Sequence, residues 1–301
     1  MPQSLLVTGA SGFVGQHFVL EAARRGFDTT AVGRGRAPAW MPDTVRWIAA
    51  DLCQPNQLDT IAREYWGVAH FANLSLPAEY QDDKAVKRSI AMTANLVAHL
   101  RSARLLFPSS CHVYSVGNDK KAEGSETVPA GRYGQAKLQS ERLILSARHI
   151  DARVARPFNH IGQHMRPDLM LPSLVARVRE VKVGDPIIMA GKNSIRDFLD
   201  VRDIVHGYFV LLAMDDPAER TFNICSGSGA SVEDLANLLL QLSGKCNSVV
   251  FQECARSADD TDQLVGDPSR IFALTDWQPR LSLEDSLNLL LGSGPINLAR
   301  R

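Results

Sequence analysis

Tyr133 and Lys137 stand four residues apart in RYGQAKLQSE (132–141), a segment of helical period. A helix brings positions i and i+4 to one face, so phenol and ammonium would be neighbours. Two readings fit. The pair is either two solvated side chains on a surface helix, or a proton donor with the cation that tunes it, because a nearby ammonium favours phenolate and draws a tyrosine down from about 10. A tuned tyrosine is the acid that carbonyl reduction needs, protonating oxygen as hydride reaches carbon. On spacing alone the solvated pair is the better reading, and the decision rests with the rest of the chain.

VTGASGFVG (7–15) places Gly9, Gly12 and Gly15 three apart between an apolar strand and a helix. Glycines there permit a tight turn, a close approach of backbone to a pyrophosphate and tight helix–strand packing, while the helix N-terminus offers amides to the anion. A dinucleotide site follows. An NAD site would carry a carboxylate at the end of the second strand for the ribose 2′-hydroxyl, but AVGRGR (31–36) offers Arg34 and Arg36. A guanidinium suits a 2′-phosphate or stacks on adenine, so NADP is favoured over NAD; the alternative is a pair of solvated loop arginines. Asp51 either meets the adenine amino group or caps a turn.

These residues need a scaffold, and the pattern supplies one. Strands are predicted at 4–8, 28–34, 45–52, 68–74, 105–110 and 152–159, with helices at 13–26, 85–103 and 133–149. Such βα alternation predicts an α/β fold, a doubly wound parallel sheet with helices on both faces and a smaller mixed α/β substrate lobe. Residues 1–158 read as the NADP-binding domain and 159–301 as the lobe, with parts of 196–227 packing back on the sheet. In the helix at 85–103, Val86, Ile90, Ala94, Val97 and Leu100 form the predicted core-facing stripe.

Composition bounds the function. The 301 residues are 45% hydrophobic and carry 33 basic and 33 acidic groups. A net charge of zero gives no general attraction to nucleic acid or anionic membrane. Five scattered cysteines (53, 111, 225, 246 and 254) show no C-x-x-C pair and no His spacing suited to zinc. No metal is expected. A reduced cytoplasmic protein is the reading, with no leader and no apolar run of 18 residues.

TGASGFVG, DL (51–52), HFAN (70–73), PSSCHVY (108–114), YGQAK (133–137), RPFN (156–159), RDFLDVRDIV (196–205) and FNICSG (222–227), in this order, resemble an extended short-chain dehydrogenase/reductase of the NAD-dependent epimerase/dehydratase family. The likeness covers nearly the whole chain and implies a Rossmann domain, a nucleotide-sugar lobe and a Ser-Tyr-Lys site. By position, Ser110 would hydrogen-bond the substrate carbonyl, Tyr133 would be the acid/base, and Lys137 would hold the nicotinamide ribose and lower the tyrosine pKa. Cofactor contacts are further implied for Ser11, Phe13 and Val14 in the glycine loop, and for Leu52 and Ala72. Within the superfamily, ARPFNHIG, SIRDFLDVRDIVHGYFVLL and FNICSG make the chain similar to GDP-4-keto-6-deoxy-D-mannose reductases. That likeness places Asn159, Arg196 and Arg256 at the sugar-nucleotide diphosphate; Arg196 could instead tie the lobes together through Asp200 or Asp203, and Arg256 could lie on a plain surface.

Departures sharpen the reading. Sugar-nucleotide 4,6-dehydratases, which resemble this family, carry acidic residues in the two places after the Ser/Thr, where this chain has Cys111 and His112. Dehydration thus lacks its catalyst. Cys111 reads as packing, and His112 either helps position substrate or fills space below the sheet. Ser89 replaces a frequent Asn, and Ser115 a usual Gly. The expected function is NADPH-dependent reduction of the C4 ketone of a nucleotide-linked 4-keto-6-deoxyhexose, with a GDP-linked sugar favoured. The rivals are a sugar-nucleotide epimerase with bound NAD and a catalytically silent NADP-binding sensor or scaffold. A homodimer is expected by resemblance, through the helices at 85–103 and 133–149, with Leu96, Leu100, Leu138, Ile144 and Leu145 as its apolar surface.

Overall fold

The computed structural model describes residues 3–74, 76–189, 194–215, 218–245, 249–251 and 263–292. Its first half alternates strand and helix: β1 (Ser4–Thr8), α1 (Phe13–Arg24), β2 (Asp28–Gly33), β3 (Arg46–Ala49), β4 (Glu64–His70), α2 (Asp83–His99), β5 (Ser102–Pro108), α3 (Arg132–Ser146) and β6 (Ile150–Pro157). After these come β7 (Asn159–Ile161), α4 (Met170–Glu180), β8 (Ile187–Met189), β9 (Ile195–Asp200), α5 (Val201–Ala213), β10 (Thr221–Ile224), β11 (Gly229–Ser231) and α6 (Val232–Leu242). β12 (Val249–Phe251), β13 (Gln263–Leu264), α7 (Ser269–Leu274) and α8 (Leu283–Gly292) complete the order.

Seven parallel strands form the main sheet, in the order β10-β6-β5-β4-β1-β2-β3. The chain winds outward from β1 in one direction and then returns to β4 on the other side. That reversal opens a crevice beyond the carboxyl ends of β1 and β4, the place where doubly wound sheets bind ligands. α1 and α5 cover one face, with Phe18 stacked on Phe209 at 4.3 Å, while α2 and α3 cover the other. α5 and β10 come from beyond residue 196 and belong to these layers. A smaller sheet sets β7, β11 and β13 around β9, and α4, α6 and α8 share a separate apolar core. No helix among the described residues is long and apolar enough to cross a membrane.

Two sequence expectations are corrected on α2 and α3. The face turned to the sheet is Ser89, Met92, Thr93, Leu96 and Val97, whereas Val86, Ile90 and Ala94 are only half-buried. The cause is two buried polar residues with distant partners. Thr93 meets His70 Nε2 at 3.1 Å, and His70 Nδ1 meets Thr8 Oγ1 at 2.7 Å, linking β1, β4 and α2. Burial pushes that imidazole down to about 3, so it is neutral there. Most of the apolar surface assigned to a dimer across α2 and α3 is buried as well: Leu96, Leu100, Leu138 and Ile144 are buried in their own chain, and of the five only Leu145 is exposed, at 42%.

Candidate active site

The crevice is a cleft of about 910 Å³ running from the end of β2 past the glycine loop to the ends of β5 and β6. Gly9, Ser11, Gly12, Phe13, Val14 and Gly15 all line it. Gly9 has φ of +65°, and a Cβ there would stand 2.5 Å from the Ala72 amide nitrogen. A Cβ at Gly15 would collide with the Gly9 carbonyl. Side chains at either place would thus fill the cradle or force it open. α1 begins immediately after Gly12 without a side-chain cap, leaving amides of its first turn for an anion. The buried Ser109 hydroxyl, also lining the cleft, has no hydrogen-bond partner among the described residues. Phosphate cradle and orphaned hydroxyl both fit a dinucleotide.

At the far end of β2 the two arginines part. Arg34 lines the cleft, while Arg36 is exposed outside it, because the strand ends at Gly33 and the chain turns away. Asp51 caps a turn, its Oδ1 accepting the Cys53 amide at 2.9 Å, and it borders the cleft beside Leu52. Ala72 borders it as well. Arg88 of α2 lines this same end, a cation whose place on the helix the misread stripe concealed.

Ser110, Tyr133 and Lys137 converge at the other end. Ser110 follows β5 and is buried, its Oγ accepting the His112 amide at 3.2 Å. Tyr133 is the second residue of α3, and Lys137 follows one turn later, with Nζ 5.9 Å from the tyrosine ring centroid. Gly134 explains how the turn after β5 and the first turn of α3 come so close: a Cβ there would strike the His112 carbonyl. That contact, between residues 22 apart in sequence, gives no local signal.

Electrostatics differ from the expected picture. Desolvation pushes the Tyr133 phenol up to about 12, against a hydrogen bond to Ser110 that pulls it down. The Lys137 Nζ donates to the Pro108 carbonyl at 2.9 Å, and burial pushes the amine down to about 8, with Glu141 opposing. Near neutral pH the phenol therefore holds its proton and the amine is mostly charged, so the site has a proton to give, on a phenol that burial makes a weaker acid than free tyrosine.

His112 does not fill space beneath the sheet. It lines the cleft half-buried, its ring edge-to-face with Tyr133 at 5.6 Å. Cys111 packs among Val113, Leu138 and Phe158, and burial pushes its thiol up to about 12. Across the cleft, Asn159 and Arg196 are both lining residues. Arg196 Nη1 donates to the Ile195 carbonyl, while Asp200 is paired with Arg202 and Asp203 accepts the Arg280 and Leu281 amides. Arg256 lies outside the described residues. Sequence reading missed the apolar wall of Leu169, Met170, Phe198, Val232 and Leu235. It also missed Arg166, held bidentately by Asp168 at 3.1 and 2.7 Å. Lobe residues without a motif carry no signal of facing a cleft.

Residues 5–225 match the NAD dependent epimerase/dehydratase family. The GDP-6-deoxy-D-mannose reductase of Pseudomonas aeruginosa is 28% identical over 309 residues, covering 97% of both chains. Among solved structures, RMD from Pseudomonas aeruginosa complexed with NADPH superimposes with a TM-score of 0.77 at 26% identity, over 96% of this chain and 97% of that one. MoeE5 in complex with UDP-glucuronic acid and NAD does so with a TM-score of 0.81 at 26% identity, over 94% and 96%. With its glycine cradle at the switch point of a doubly wound sheet, and Ser110, Tyr133 and Lys137 at the cleft's end, the chain belongs to the NAD dependent epimerase/dehydratase family.

Proposed function

We propose that the chain reduces the C4 ketone of a nucleotide-linked 4-keto-6-deoxyhexose with NADPH, converting GDP-4-keto-6-deoxy-D-mannose to GDP-D-rhamnose. The observation that carries this reading is the makeup of the catalytic end. A protonated Tyr133 and the Ser110 hydroxyl face one cleft wall, and the two positions after Ser110 hold a buried thiol and an imidazole, without a carboxylate for loss of water. The likeness to a GDP-6-deoxy-D-mannose reductase supports the sugar, and Arg34 in the cleft supports the 2′-phosphate.

The nicotinamide cofactor, when bound, supplies the hydride. Ser110 donates a hydrogen bond to the carbonyl oxygen and polarises it. Tyr133 delivers its proton to that oxygen as negative charge develops there, and the charged Lys137 stabilises the phenolate left behind. Asn159 and Arg196 hold the sugar-nucleotide diphosphate from the lobe side.

Incubation with NADPH and GDP-, dTDP-, UDP- and CDP-linked 4-keto-6-deoxy sugars, with product configuration read by NMR, tests the reading. The expected result is turnover of the GDP sugar, with Tyr133→Phe lowering kcat by roughly 10²–10⁴-fold. A Tyr133→Phe protein with undiminished kcat sinks the mechanism. The similarity to MoeE5, solved with NAD, and to a rice UDP-glucose 4-epimerase 26% identical over 328 residues favours a second reading, epimerisation with bound NAD. NAD retained through purification, with interconversion of a UDP-sugar and its C4 epimer, would establish that reading instead.

A further inference from the structure

Asn73 lies in the loop between β4 and α2, one residue beyond the Ala72 on which Gly9 is packed. Its side-chain oxygen is held by two hydroxyls: Tyr80 donates to Oδ1 at 2.9 Å, and Ser89 of α2 makes a short hydrogen bond to the same atom. Tyr80 also meets Ser89 at 2.9 Å and the Leu74 carbonyl at 3.0 Å. Both hydroxyl residues are buried, so this clasp is dry. With Oδ1 fixed, the amide nitrogen is left over. Nδ2 is buried and has no hydrogen-bond partner among the described residues, although Asn73 lines the cleft.

A buried donor of this kind is costly to leave unmade, and a native structure generally answers one with a ligand or a water. The position along the cleft narrows the choice. On one side Asn73 adjoins the phosphate cradle through Ala72, and on the other the Tyr80 ring packs edge-to-face on Tyr133 at 5.4 Å. Arg34, Asp51 and Arg88 mark the opposite, adenine end. We propose that Asn73 is a cofactor-binding residue whose Nδ2 donates to an oxygen in the nicotinamide-side half of the dinucleotide, a ribose hydroxyl or phosphate oxygen. The inference rests on the reading of the cleft as a nicotinamide dinucleotide site. It also gives Ser89 a purpose: a short hydroxyl there leaves room for the amide to come from the loop.

Titration of the full-length protein by calorimetry, with NADPH and separately with 2′,5′-ADP, which lacks the nicotinamide half, tests this. Asn73→Ala should weaken NADPH about tenfold, the loss of one hydrogen bond, and leave 2′,5′-ADP unchanged. Asn73→Asp keeps the shape and the acceptor that Tyr80 and Ser89 hold but puts a carboxylate oxygen where the donor was; it should weaken NADPH by more than the alanine does, through repulsion of the cofactor oxygen, and more than it weakens 2′,5′-ADP, and it serves if the alanine protein does not fold. Unchanged NADPH affinity in either folded variant, or equal weakening of both probes, overturns the proposal. A wild-type protein that binds NADH and not NADPH refutes the NADP reading alone, and the same comparison then runs with NADH against AMP. Wild-type protein that binds no dinucleotide refutes both.

Discussion

Lys137 and Pro108 are joined by a 2.9 Å hydrogen bond from the ammonium to the backbone carbonyl, and this bond holds the lysine at the end of β5 beside Ser109 and Ser110. Burial lowers the amine from its ordinary 10.5 to about 8. If Lys137 must be charged to stabilise a phenolate, turnover of the accepted keto sugar falls as pH rises through about 8, well below the titration of Tyr133 near 12. A kcat/KM profile from pH 6 to 10 should show this alkaline limb, and a flat profile across 8 refutes the charge requirement. Stability runs the other way for this group. Between about 8 and 10.5 the unfolded chain binds the proton and the folded chain does not, so the Lys137 contribution to stability rises with pH across that window.

The cofactor end gives a paired test. Arg34 borders the cleft and Arg36 does not. Arg34→Ala should weaken NADPH roughly tenfold with little change for NADH, the worth of one exposed charge-assisted hydrogen bond to a 2′-phosphate. Arg36→Ala should stay within about twofold for both, as a solvated arginine does when its charge is screened. Equal effects of the two substitutions in a calorimetric titration count against Arg34 as the discriminating residue.

Gly134 yields a sharper outcome because the clash is with backbone. A methyl group at this position meets the His112 carbonyl, which no side-chain rotation relieves. Gly134→Ala should separate the first turn of α3 from the turn after Ser110, destabilise the protein by about 1–3 kcal/mol and reduce kcat by more than KM changes. Thermal unfolding with steady-state kinetics checks both, and a variant equal to wild type in both removes Gly134 from the account.

Local signals carried most of the fold and the ends of the site. The glycine loop, the period of the strands and the Tyr133/Lys137 spacing depend on neighbours in sequence. α2 was misread because Ser89 and Thr93, polar by type, are buried by partners at Asn73, Tyr80 and His70, and no helical period reports those hydrogen bonds. Leu96 and Ile144 look alike as surface or core until the sheet beneath them is known. Arg34 and Arg36 differ only in where β2 stops. The orphaned amide of Asn73, like the close approach at Gly134, exists only once distant segments have met.

Glu141 connects stability with chemistry on α3. One turn beyond Lys137, it accepts two hydrogen bonds from Arg156, at 3.0 and 2.7 Å, in a pair whose members are both buried. Breaking such a pair by removing one charge leaves the other uncompensated in a low dielectric, at a cost of about 3–5 kcal/mol. The same carboxylate is the group that holds the Lys137 amine up against desolvation. Glu141→Gln should therefore lower the unfolding midpoint and also move the alkaline limb of kcat/KM below pH 8, because the amine loses its proton more readily without a negative neighbour. Denaturant unfolding and the pH profile separate the two effects. A destabilised variant whose limb stays at wild-type pH would mean that Arg156 already neutralises Glu141 as seen from the lysine, and that burial alone sets the Lys137 titration.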